Sequence, residues 1–259
     1  MKIALISDIH ANLPALEVVL KDIDQKKPDA VYCLGDLVGY NIWPNEVIDL
    51  MREKNIPTLA GNHDFDVARL TDVHEETFCF SGGSNGKLNR DFTNFLLTKE
   101  RKEYLFNLPS DIRFEQNDGR STLKFLLVHG SPRSVNEYLL EDHDREDFVQ
   151  LLLENDAHVM AFGHSHKPFD KVIDASRNAK LNDYRHVFNT GSVGKPKDGD
   201  VRACYVMLNV IPNPNPKLSH RYMVMPEFVR LDYDVEKAAK AVEASVLPDE
   251  FADMLRKAY

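Results

Sequence analysis

The segment Lys2-Ile3-Ala4-Leu5-Ile6-Ser7-Asp8-Ile9-His10 decides the fold that we predict for this chain. Its apolar run indicates a buried strand that leads directly into an aspartate and a histidine. Leu13 to Gln25 then repeats apolar residues at helical spacing behind Asn12, a residue type that caps helix N-termini. A second strand is predicted from Ala30 to Leu34. Because βαβ connections bring successive strands side by side, we expect parallel neighbours here.

The same alternation of strands and helices places polar residues at three successive strand ends. A helix is predicted from Pro44 to Lys54 and a third strand from Thr58 to Ala60. In α/β proteins, ligand crevices open at the carboxyl ends of parallel strands. Asp8 and His10 are two residues apart, so in extended backbone their side chains point to the same side. The residues that follow the three strands are Asp8, Asp36 and Asn62.

Residues 65–122 interrupt this alternation. A glycine-rich patch, Gly82, Gly83 and Gly86, comes first, and helical patterns follow it. We predict a helical insertion beside the site that acts as a lid or as a substrate wall. Its helical stretches run from Lys87 to Leu97 and from Lys99 to Leu108.

Strand patterns return after the insertion. The last two strands flank the turn sequence Pro212-Asn213-Pro214-Asn215-Pro216 and are predicted to form a hairpin. Residues from about 226 to 259 then supply a strand and helices. We find no internal repeat and no domain boundary, so we predict one domain over 1–259. The predicted strands are Ser121–Val128, His158–Phe162, Phe169–Ile173, Arg185–Phe188, Val201–Val210 and Lys217–Val224, with one helix at Arg145–Glu154.

Composition argues against several classes of protein. The formal charge of -9 disfavours an extended nucleic-acid-binding face, although cations at a site would still admit a small phosphorylated substrate. There is no apolar run of about 18 residues and no signal-peptide pattern, so we expect no membrane association and a cytoplasmic location. Cys33, Cys79 and Cys204 are widely separated and odd in number, which disfavours disulfides and cysteine-ligated zinc. The oligomeric state stays open, and a homo-oligomer is compatible with the sequence.

Five short blocks hold residue types that bind divalent cations. Each block alone is weak evidence for a metal site, because an aspartate after a strand is usually a turn residue and a lone histidine is usually structural. Together they are specific, because five of the ten histidines fall in these blocks, each after an apolar run and next to a small residue. The other histidines, His74, His143, His158, His186 and His220, are predicted to be structural or solvated. The predicted metal ligands are Asp8, His10, Asp36, Asn62, His129, His164 and His166.

The order of these blocks resembles the calcineurin-like metallophosphoesterase superfamily. The blocks are Asp-x-His, Gly-Asp, Gly-Asn-His-Asp, His-Gly and Gly-His-x-His, and the resemblance spans residues 1 to about 210. Within the superfamily, the chain looks like the compact bacterial and archaeal phosphodiesterase branch that is often labelled diadenosine-tetraphosphatase-like. The run from Asn189 to Asp200 and the closing segment from Phe228 to Ala238 carry that narrower resemblance.

The resemblance implies a fold and a set of residue roles. The fold is an α/β sandwich of four layers, αββα, with two mixed β-sheets flanked by helices. Asp36 would bridge two metal ions, with its two oxygens each facing one of them. His63 would face the substrate, and Asp64 would be hydrogen-bonded behind it. The remaining ligands would be Asp8, His10 and His166 for the first metal and Asn62, His129 and His164 for the second.

The implied chemistry is hydrolysis of a phosphate ester. Two cations roughly 3.5–4 Å apart can share a hydroxide that attacks phosphorus, while His63 assists the leaving oxygen. Mixed nitrogen and oxygen ligation suits Mn, Fe, Zn, Co or Ni, and we favour Mn. No nucleophilic serine or cysteine motif competes with this interpretation.

One difference from other members of the superfamily limits the range of expected substrates. Serine/threonine protein phosphatases of the superfamily carry a phosphate-gripping Arg after the bridging Asp, whereas this chain has Asp36-Leu37-Val38-Gly39-Tyr40. A phosphodiester or a small phosphate ester is therefore preferred. Asn12, the backbone near Gly39, and Lys195 or Lys197 are candidate phosphate donors, although for the lysines we favour solvated loop positions. Aromatic residues of the insertion that could stack a base, but more simply pack it against the sandwich, are Phe78, Phe80, Phe92 and Phe95.

Other functions remain as alternatives. They are a phosphomonoesterase or protein phosphatase, a dinucleoside polyphosphate hydrolase, and, in different classes, a DNA nuclease or a metal-binding protein-interaction scaffold. The retention of His63 and of all seven ligands disfavours the scaffold, and the negative charge disfavours the nuclease.

Overall fold

A computed structural model of the chain describes residues 1–70, 84–119, 121–176, 183–213 and 222–259. The strands are β1 (Lys2–Ile6), β2 (Ala30–Cys33), β3 (Asp111–Asn117), β4 (Thr122–Val128), β5 (Val159–Phe162), β6 (Phe169–Asp174), β7 (Tyr184–Asn189), β8 (Ala203–Pro212) and β9 (Tyr222–Leu231). The helices are α1 (Leu13–Lys26), α2 (Pro44–Glu53), α3 (Asn62–Ala68), α4 (Asn85–Leu96), α5 (Lys99–Phe106), α6 (Arg145–Glu154), α7 (Val235–Glu243) and α8 (Asp249–Lys257).

Two mixed β-sheets form the centre of the protein. The four-stranded sheet has the order β2-β1-β8-β9, and only its β1–β2 pair is parallel. The five-stranded sheet has the order β3-β4-β5-β7-β6, in which β4, β5 and β7 run parallel and both edge strands run antiparallel. These pairings bring the carboxyl ends of β1, β2, β4 and β5 to one end of the sandwich.

Strand β1 shows why the opening segment reads as a continuous apolar run. Ile3 and Leu5 face the five-stranded sheet and pack against its Phe125 and Phe188. The alternate residues Ala4 and Ile6 face outward against α1 and α2. Because β1 is buried on both faces, both of its side-chain rows are apolar. The helix α6 covers the outer face of the second sheet in the same way, so the predicted αββα sandwich is confirmed.

The last two helices pack beside the end of the sandwich that collects the polar residues. Residues of α7 and α8, including Val242 and Phe251, form a separate apolar cluster with Phe92 of α4 and with Tyr40 and Trp43. The loop after β2 is therefore held between the C-terminal helices and the insertion.

Most predicted elements are confirmed, and three differ. The predicted strand from Thr58 to Ala60 is reduced to a single bridge between Cys33 and Thr58, because the chain pairs there through one residue before it turns into α3. Strand β3 lies inside the predicted insertion, whose helices α4 and α5 are confirmed. The strands expected before and after Val224 are one strand, β9, paired along its length with β8.

Some predictions fall on residues outside the described ranges. They are Cys79, His74, His220, Gly82, Gly83, Phe78, Phe80 and the last part of the Pro212–Pro216 turn. Cys33 and Cys204 are free and fully buried, as expected of small core residues. Among the described helices, none has the length and apolar character needed to cross a membrane.

Candidate metal centre

All seven predicted ligands meet at the carboxyl ends of the parallel strands. Asp8 and His10 follow β1, Asp36 follows β2, His129 follows β4, and His164 and His166 follow β5, while Asn62 begins α3. Apart from Asn62, each of these side chains is buried. The argument from strand ends therefore predicted where the site lies.

The backbone at several ligands is left-handed, not extended. The φ angles are 54° at Asp8, 49° at His10, 55° at Asp36, 64° at His164 and 58° at His166. For residues other than glycine this conformation costs on the order of 1–3 kcal/mol each, and such strain concentrates at functional sites. Asp8 and His10 do share one site, but the extended-backbone reason given for it is wrong: sharp turns aim these side chains.

The first ligand group consists of Asp8, His10 and His166. The Nε2 atom of His166 lies 3.1 Å from Oδ1 of Asp8 and 3.1 Å from Nε2 of His10, which is 3.8 Å from the same Oδ1. The other carboxylate oxygen of Asp8 accepts hydrogen bonds from the Ser7 hydroxyl and the His164 backbone N–H. Oδ1 of Asp8 is buried and, among the described residues, has no hydrogen-bond partner.

The second ligand group consists of Asp36, His129, His164 and Asn62. Nε2 of His129 lies 3.3 Å from Oδ2 of Asp36 and 3.1 Å from Oδ1 of Asn62. A ring nitrogen of His164 lies within 4.8 Å of the ligand atoms of Asp36 and His129. Nε2 of His164 is buried and lacks a hydrogen-bond partner in the described part of the chain.

Asp36 joins the two groups through a single oxygen. Its Oδ2 lies 3.6 Å from Nε2 of His10 in the first group and 3.3 Å from Nε2 of His129 in the second. Its Oδ1 accepts a hydrogen bond of 2.9 Å from the backbone N–H of His63. The resemblance implied a bridge in which each oxygen faces one metal. In the structure, the start of α3 contacts Oδ1, whereas Oδ2 lies between the two groups; the bridging of two metal ions stays a prediction.

Backbone carbonyls fix which ring nitrogen faces the centre. The Nδ1 atoms of His10, His129 and His166 lie 3.1, 2.8 and 2.5 Å from the carbonyl oxygens of Val38, Leu34 and Lys195, respectively. An Nδ1–H that donates to a carbonyl leaves Nε2 unprotonated and available to a metal. The orientation of three ligands is therefore set by loop backbone.

The electrostatics of the centre favour the metal-binding protonation states. Burial would raise the pKa of Asp36 and Asp8, but the neighbouring histidines outweigh it and hold both pKa values well below the usual range. Burial lowers the pKa of His10 and His166, and burial together with the charge of His129 lowers the pKa of His164 to about 4. The exception is His129: its pKa is raised to about 10, because Asp36 overcomes burial. A cation would displace that proton.

These residues fit divalent cations. Ligand atoms each about 2.0–2.1 Å from one metal lie about 3.3 Å apart in tetrahedral geometry. The separations among Asp8, His10 and His166 and between Asp36 and His129, from 3.1 to 3.8 Å, agree with that spacing. The two unpartnered atoms, Oδ1 of Asp8 and Nε2 of His164, supply one vacant acceptor to each group. Buried carboxylate and imidazole of this kind bind divalent metal.

His63 lies at the edge of the first group. Its ring centroid is 5.1 Å from that of His10 and 4.9 Å from that of Tyr40. Burial lowers its pKa, although the charge of Asp36 opposes the shift. Gly39 packs directly on the ring: a Cβ at Gly39 would lie 2.9 Å from Nδ1 of His63.

Asp64 does not support the His63 ring as the resemblance implied. Its carboxylate accepts from the backbone N–H groups of Leu37, Val38 and Gly61, at 2.9, 3.3 and 3.0 Å. Because Asp64 is the third residue of α3, its side chain reaches back to the loop instead of forward along the helix. Burial and the charge of Asp36 raise its pKa to about 7. Asp64 therefore holds together the two loops that present Asp36 and Asn62.

Asn12 and Lys195 also differ from expectation. Both amide hydrogens of Asn12 are donated, to the Gly194 carbonyl and the Tyr233 hydroxyl, and its oxygen caps α1, so it has no donor left for phosphate. Lys195 is 2% exposed. The preferred solvated position is wrong for it, because the Asn189–Asp200 loop folds inward across the end of β1.

Two residues of the site carried no signal in the sequence. The ring of Tyr138 stacks on His164 with centroids 4.1 Å apart, while 53% of the residue is exposed. It comes from an irregular loop without a motif. Ser7 orients Asp8 by a hydrogen bond. In the sequence, nothing except its position before Asp8 distinguishes it from other serines at strand ends.

The insertion contributes to a cavity beside His63. The cavity is about 310 Å³, and residues of α3 and α4 line it, among them Val67, Lys87 and Arg90. The prediction of a substrate wall is compatible with this position, and a lid stays a prediction. Phe92 packs the insertion against α7 and α8, not against the sheets of the sandwich.

Comparison with known proteins agrees with the fold and the site. The model of the calcineurin-like phosphoesterase family matches residues 1–168. A protein of Methanocaldococcus jannaschii, the uncharacterized protein MJ0912, is 32% identical over 263 residues, covering 98% of this chain and 96% of that protein. A metallophosphoesterase from Sphaerobacter thermophilus has a structure with a TM-score of 0.72 at 27% identity, covering 100% of this chain and 99% of that one.

A second solved structure supports the fold alone. The hypothetical protein PH1004 from Pyrococcus horikoshii OT3 has a TM-score of 0.78 at 20% identity, covering 100% of this chain and 98% of that one. The family match includes every one of the ligands assembled above. The chain therefore belongs to the calcineurin-like phosphoesterase family and is a hydrolase that acts on phosphoric ester bonds.

Proposed function

We propose that the protein is a phosphodiesterase that works with two divalent cations. The observation that carries the proposal is the position of Asp36 Oδ2, which lies between the His10 group and the His129 group. One buried carboxylate oxygen shared by two complete ligand sets is the arrangement expected of a two-metal site. We favour Mn, while the same nitrogen and oxygen donors accept Fe, Zn, Co or Ni.

The residues divide the work of the proposed reaction. When bound, the cations would supply Lewis acidity and an activated water. Asp36 and the two ligand groups would hold the cations, which would bind the reacting phosphate. His63, beside the first group and at the cavity wall, donates a proton to the leaving oxygen. Asp64 holds together the loops that carry Asp36 and Asn62.

The segment after Asp36 favours diesters over other phosphate esters. Leu37 and Val38 are buried, and their backbone N–H groups are bound to Asp64. This loop therefore has neither an arginine nor free N–H groups at these positions to grip the third oxygen of a phosphomonoester. Phosphomonoesters and dinucleoside polyphosphates remain the rival substrates.

Metal removal tests the proposal directly. We expect the purified protein with Mn²⁺ to hydrolyse bis(p-nitrophenyl) phosphate faster than p-nitrophenyl phosphate, as measured by kcat/KM. Dialysis against a chelator is expected to abolish both activities, and added Mn²⁺ to restore them. Full activity after complete metal removal would overturn metal dependence. A preference for the monoester would overturn the diester assignment.

Gly39 offers a test of how tightly the His63 ring is positioned. In Gly39→Ala the new methyl group meets the ring of His63, so we expect kcat to fall about 10- to 100-fold with metal content unchanged. Gly199→Ala is the matched control: φ is +93° at Gly39 and +82° at Gly199, but a Cβ at Gly199 meets no atom within 4 Å. Both variants bear a similar backbone strain of about 1 kcal/mol, so equal losses of kcat would contradict the steric explanation.

A further inference from the structure

The cavity beside His63 lies on the side where the proposed reaction releases its leaving group. It has a volume of about 310 Å³, and its walls include charged residues of α3 and α4, namely Asp66, Lys87 and Arg90. Cavities of about 300 Å³ and more are large enough to hold a small ligand. Because His63 is the proposed proton donor to the leaving oxygen, the group attached to that oxygen points toward this cavity.

Helix α4 is fixed against the loop after β2, next to the His63 ring. Oδ1 of Asn89 accepts a hydrogen bond of 2.6 Å from the backbone N–H of Tyr40. A Cβ at Gly39 would lie 2.9 Å from Nδ1 of His63 and 3.4 Å from Nδ2 of Asn89. The loop therefore touches both the ring and the helix. Arg90 is the next residue of α4, so a contact of the helix with the loop holds it beside the site.

Arg90 is the basic residue of this cavity whose charge is not compensated. It is half-buried, and its Nε is shielded from solvent and has no hydrogen-bond partner. Among the residues that the structure describes, no carboxylate lies within ion-pair distance of its guanidinium group. Lys87, by contrast, pairs with Asp91 at 2.8 Å. A shielded donor without an acceptor is rare and costly, so Arg90 indicates a binding role.

The charges around the cavity favour a ligand with one negative charge. The guanidinium group of Arg90 presents parallel N–H groups that match the two oxygens of a planar carboxylate. Asp66 also lines the cavity and is exposed. Its charge repels a doubly charged phosphate group more strongly than a singly charged carboxylate. A carboxylate is therefore the anion that this pair of residues accepts best.

We propose, resting on the phosphodiesterase function above, that this cavity is the leaving-group subsite and that Arg90 binds a carboxylate there. The substrate class that fits is a phosphodiester whose leaving alcohol carries a carboxylate and has about the size of a hydroxybenzoate. In this arrangement the phosphodiester lies at the ligand groups, the leaving oxygen lies at His63, and the carboxylate lies at Arg90.

Kinetics with a matched pair of diesters tests the subsite. Phenyl 4-nitrophenyl phosphate and phenyl 3-carboxy-4-nitrophenyl phosphate differ by one carboxylate on the leaving nitrophenol. Arg90→Gln in the Mn²⁺-loaded protein is expected to lower kcat/KM for the carboxylated ester at least about tenfold more than for the neutral ester, mainly through KM. Arg90→Lys should keep part of the difference. Because the same two esters are compared in each variant, their intrinsic reactivities cancel. Equal losses on both esters would overturn the subsite.

Two further variants separate a local contact from long-range charge. Arg69 is the matched control, because it follows α3 and carries the same charge, but its guanidinium group lies over the Phe65 ring. Arg69→Gln should leave the ratio of the two kcat/KM values unchanged, and a fall equal to that in Arg90→Gln would contradict a direct contact. Asp66→Asn should raise the ratio about two- to fivefold. If Arg90→Gln fails to fold, Asp66→Asn carries the comparison, and no rise in the ratio would overturn the subsite.

Binding of the two released phenols tests the subsite without turnover. The Mn²⁺-loaded protein is titrated with 4-nitrophenol and with 3-carboxy-4-nitrophenol, followed by ligand-observed nuclear magnetic resonance. We expect the carboxylated phenol to bind about tenfold more tightly and Arg90→Gln to remove most of that difference. Equal affinity for the two phenols would overturn the subsite, and so would a difference that survives in Arg90→Gln, because the carboxylate would then lie on the metal. Failure of the Arg90-containing protein to hydrolyse any diester would overturn the function, while the phenol titration would still decide the subsite.

Discussion

Replacement of Asp36 by Asn is expected to lower kcat/KM for bis(p-nitrophenyl) phosphate by at least about 10³-fold. The substitution keeps the shape of the side chain but removes its negative charge. Oδ2 of Asp36 lies within 3.6 Å of His10 Nε2 and 3.3 Å of His129 Nε2, so the loss weakens both ligand groups at once. Substitution of a ligand that belongs to only one group would leave the other ligand group intact. Lost electrostatic stabilisation at a single catalytic position typically lowers rates by about 10²–10³-fold, and this change affects two metals.

Metal content distinguishes this explanation from simple misfolding. After dialysis, Asp36→Asn should retain less than the full complement of bound Mn²⁺ as measured by elemental analysis, with an unchanged far-ultraviolet circular dichroism spectrum. Asp156→Asn is the charge-matched control, because Asp156 is an exposed residue paired with Lys124 far from the ligands. Retention of full metal content together with near-normal turnover in Asp36→Asn would overturn the shared-oxygen assignment.

The site could be predicted because its ligands obey local rules. Asp8, Asp36, His129 and His164 each stand just after a parallel strand, and parallel strands end on the same edge of a sheet. The apolar runs before them are continuous, since both faces of β1 and β5 are covered. Strand position and residue type were therefore sufficient to bring distant segments together.

What escaped prediction depends on contacts between distant segments. Asn12 looked free to bind phosphate, but its amide is taken by Gly194 and Tyr233, 182 and 221 residues away. Lys195 looked like a loop charge, but it is buried and its Nζ lies over the ring of Tyr40. No periodicity in the sequence encodes such pairings.

Backbone conformation was a second source of error. The left-handed turns at Asp8, His10 and Asp36 occur in residue types that seldom adopt them without support. Here the support comes from loop hydrogen bonds, such as those from the N–H groups of Asp8 and His10 to the carbonyls of Gly35 and Asp36. The conformation of each loop is thus imposed by the other loop and is not readable from either alone.

The role of His63 leads to the second large effect. We expect His63→Ala to lower kcat about 10²–10⁴-fold on a diester with an alkyl leaving group, because an alkoxide needs a proton as it departs. With a p-nitrophenyl leaving group the loss should be much smaller, since that phenolate is stable without a proton. The measurement is the dependence of kcat on leaving-group pKa, which should become steeper in the variant.

A competing role for His63 has a definite structural basis. A ring nitrogen of His63 lies within 4.8 Å of the ligand atoms of His10 and Asp36, so this histidine is close enough to act as a further metal ligand. In that case His63→Ala would lose metal and would slow all substrates alike, whatever their leaving group. Retained metal with a leaving-group-dependent loss would instead fit the proton donor. The hydrogen bond from the backbone N–H of His63 to Oδ1 of Asp36 fixes the start of α3 in both cases, so metal content and leaving-group dependence together decide between the two roles.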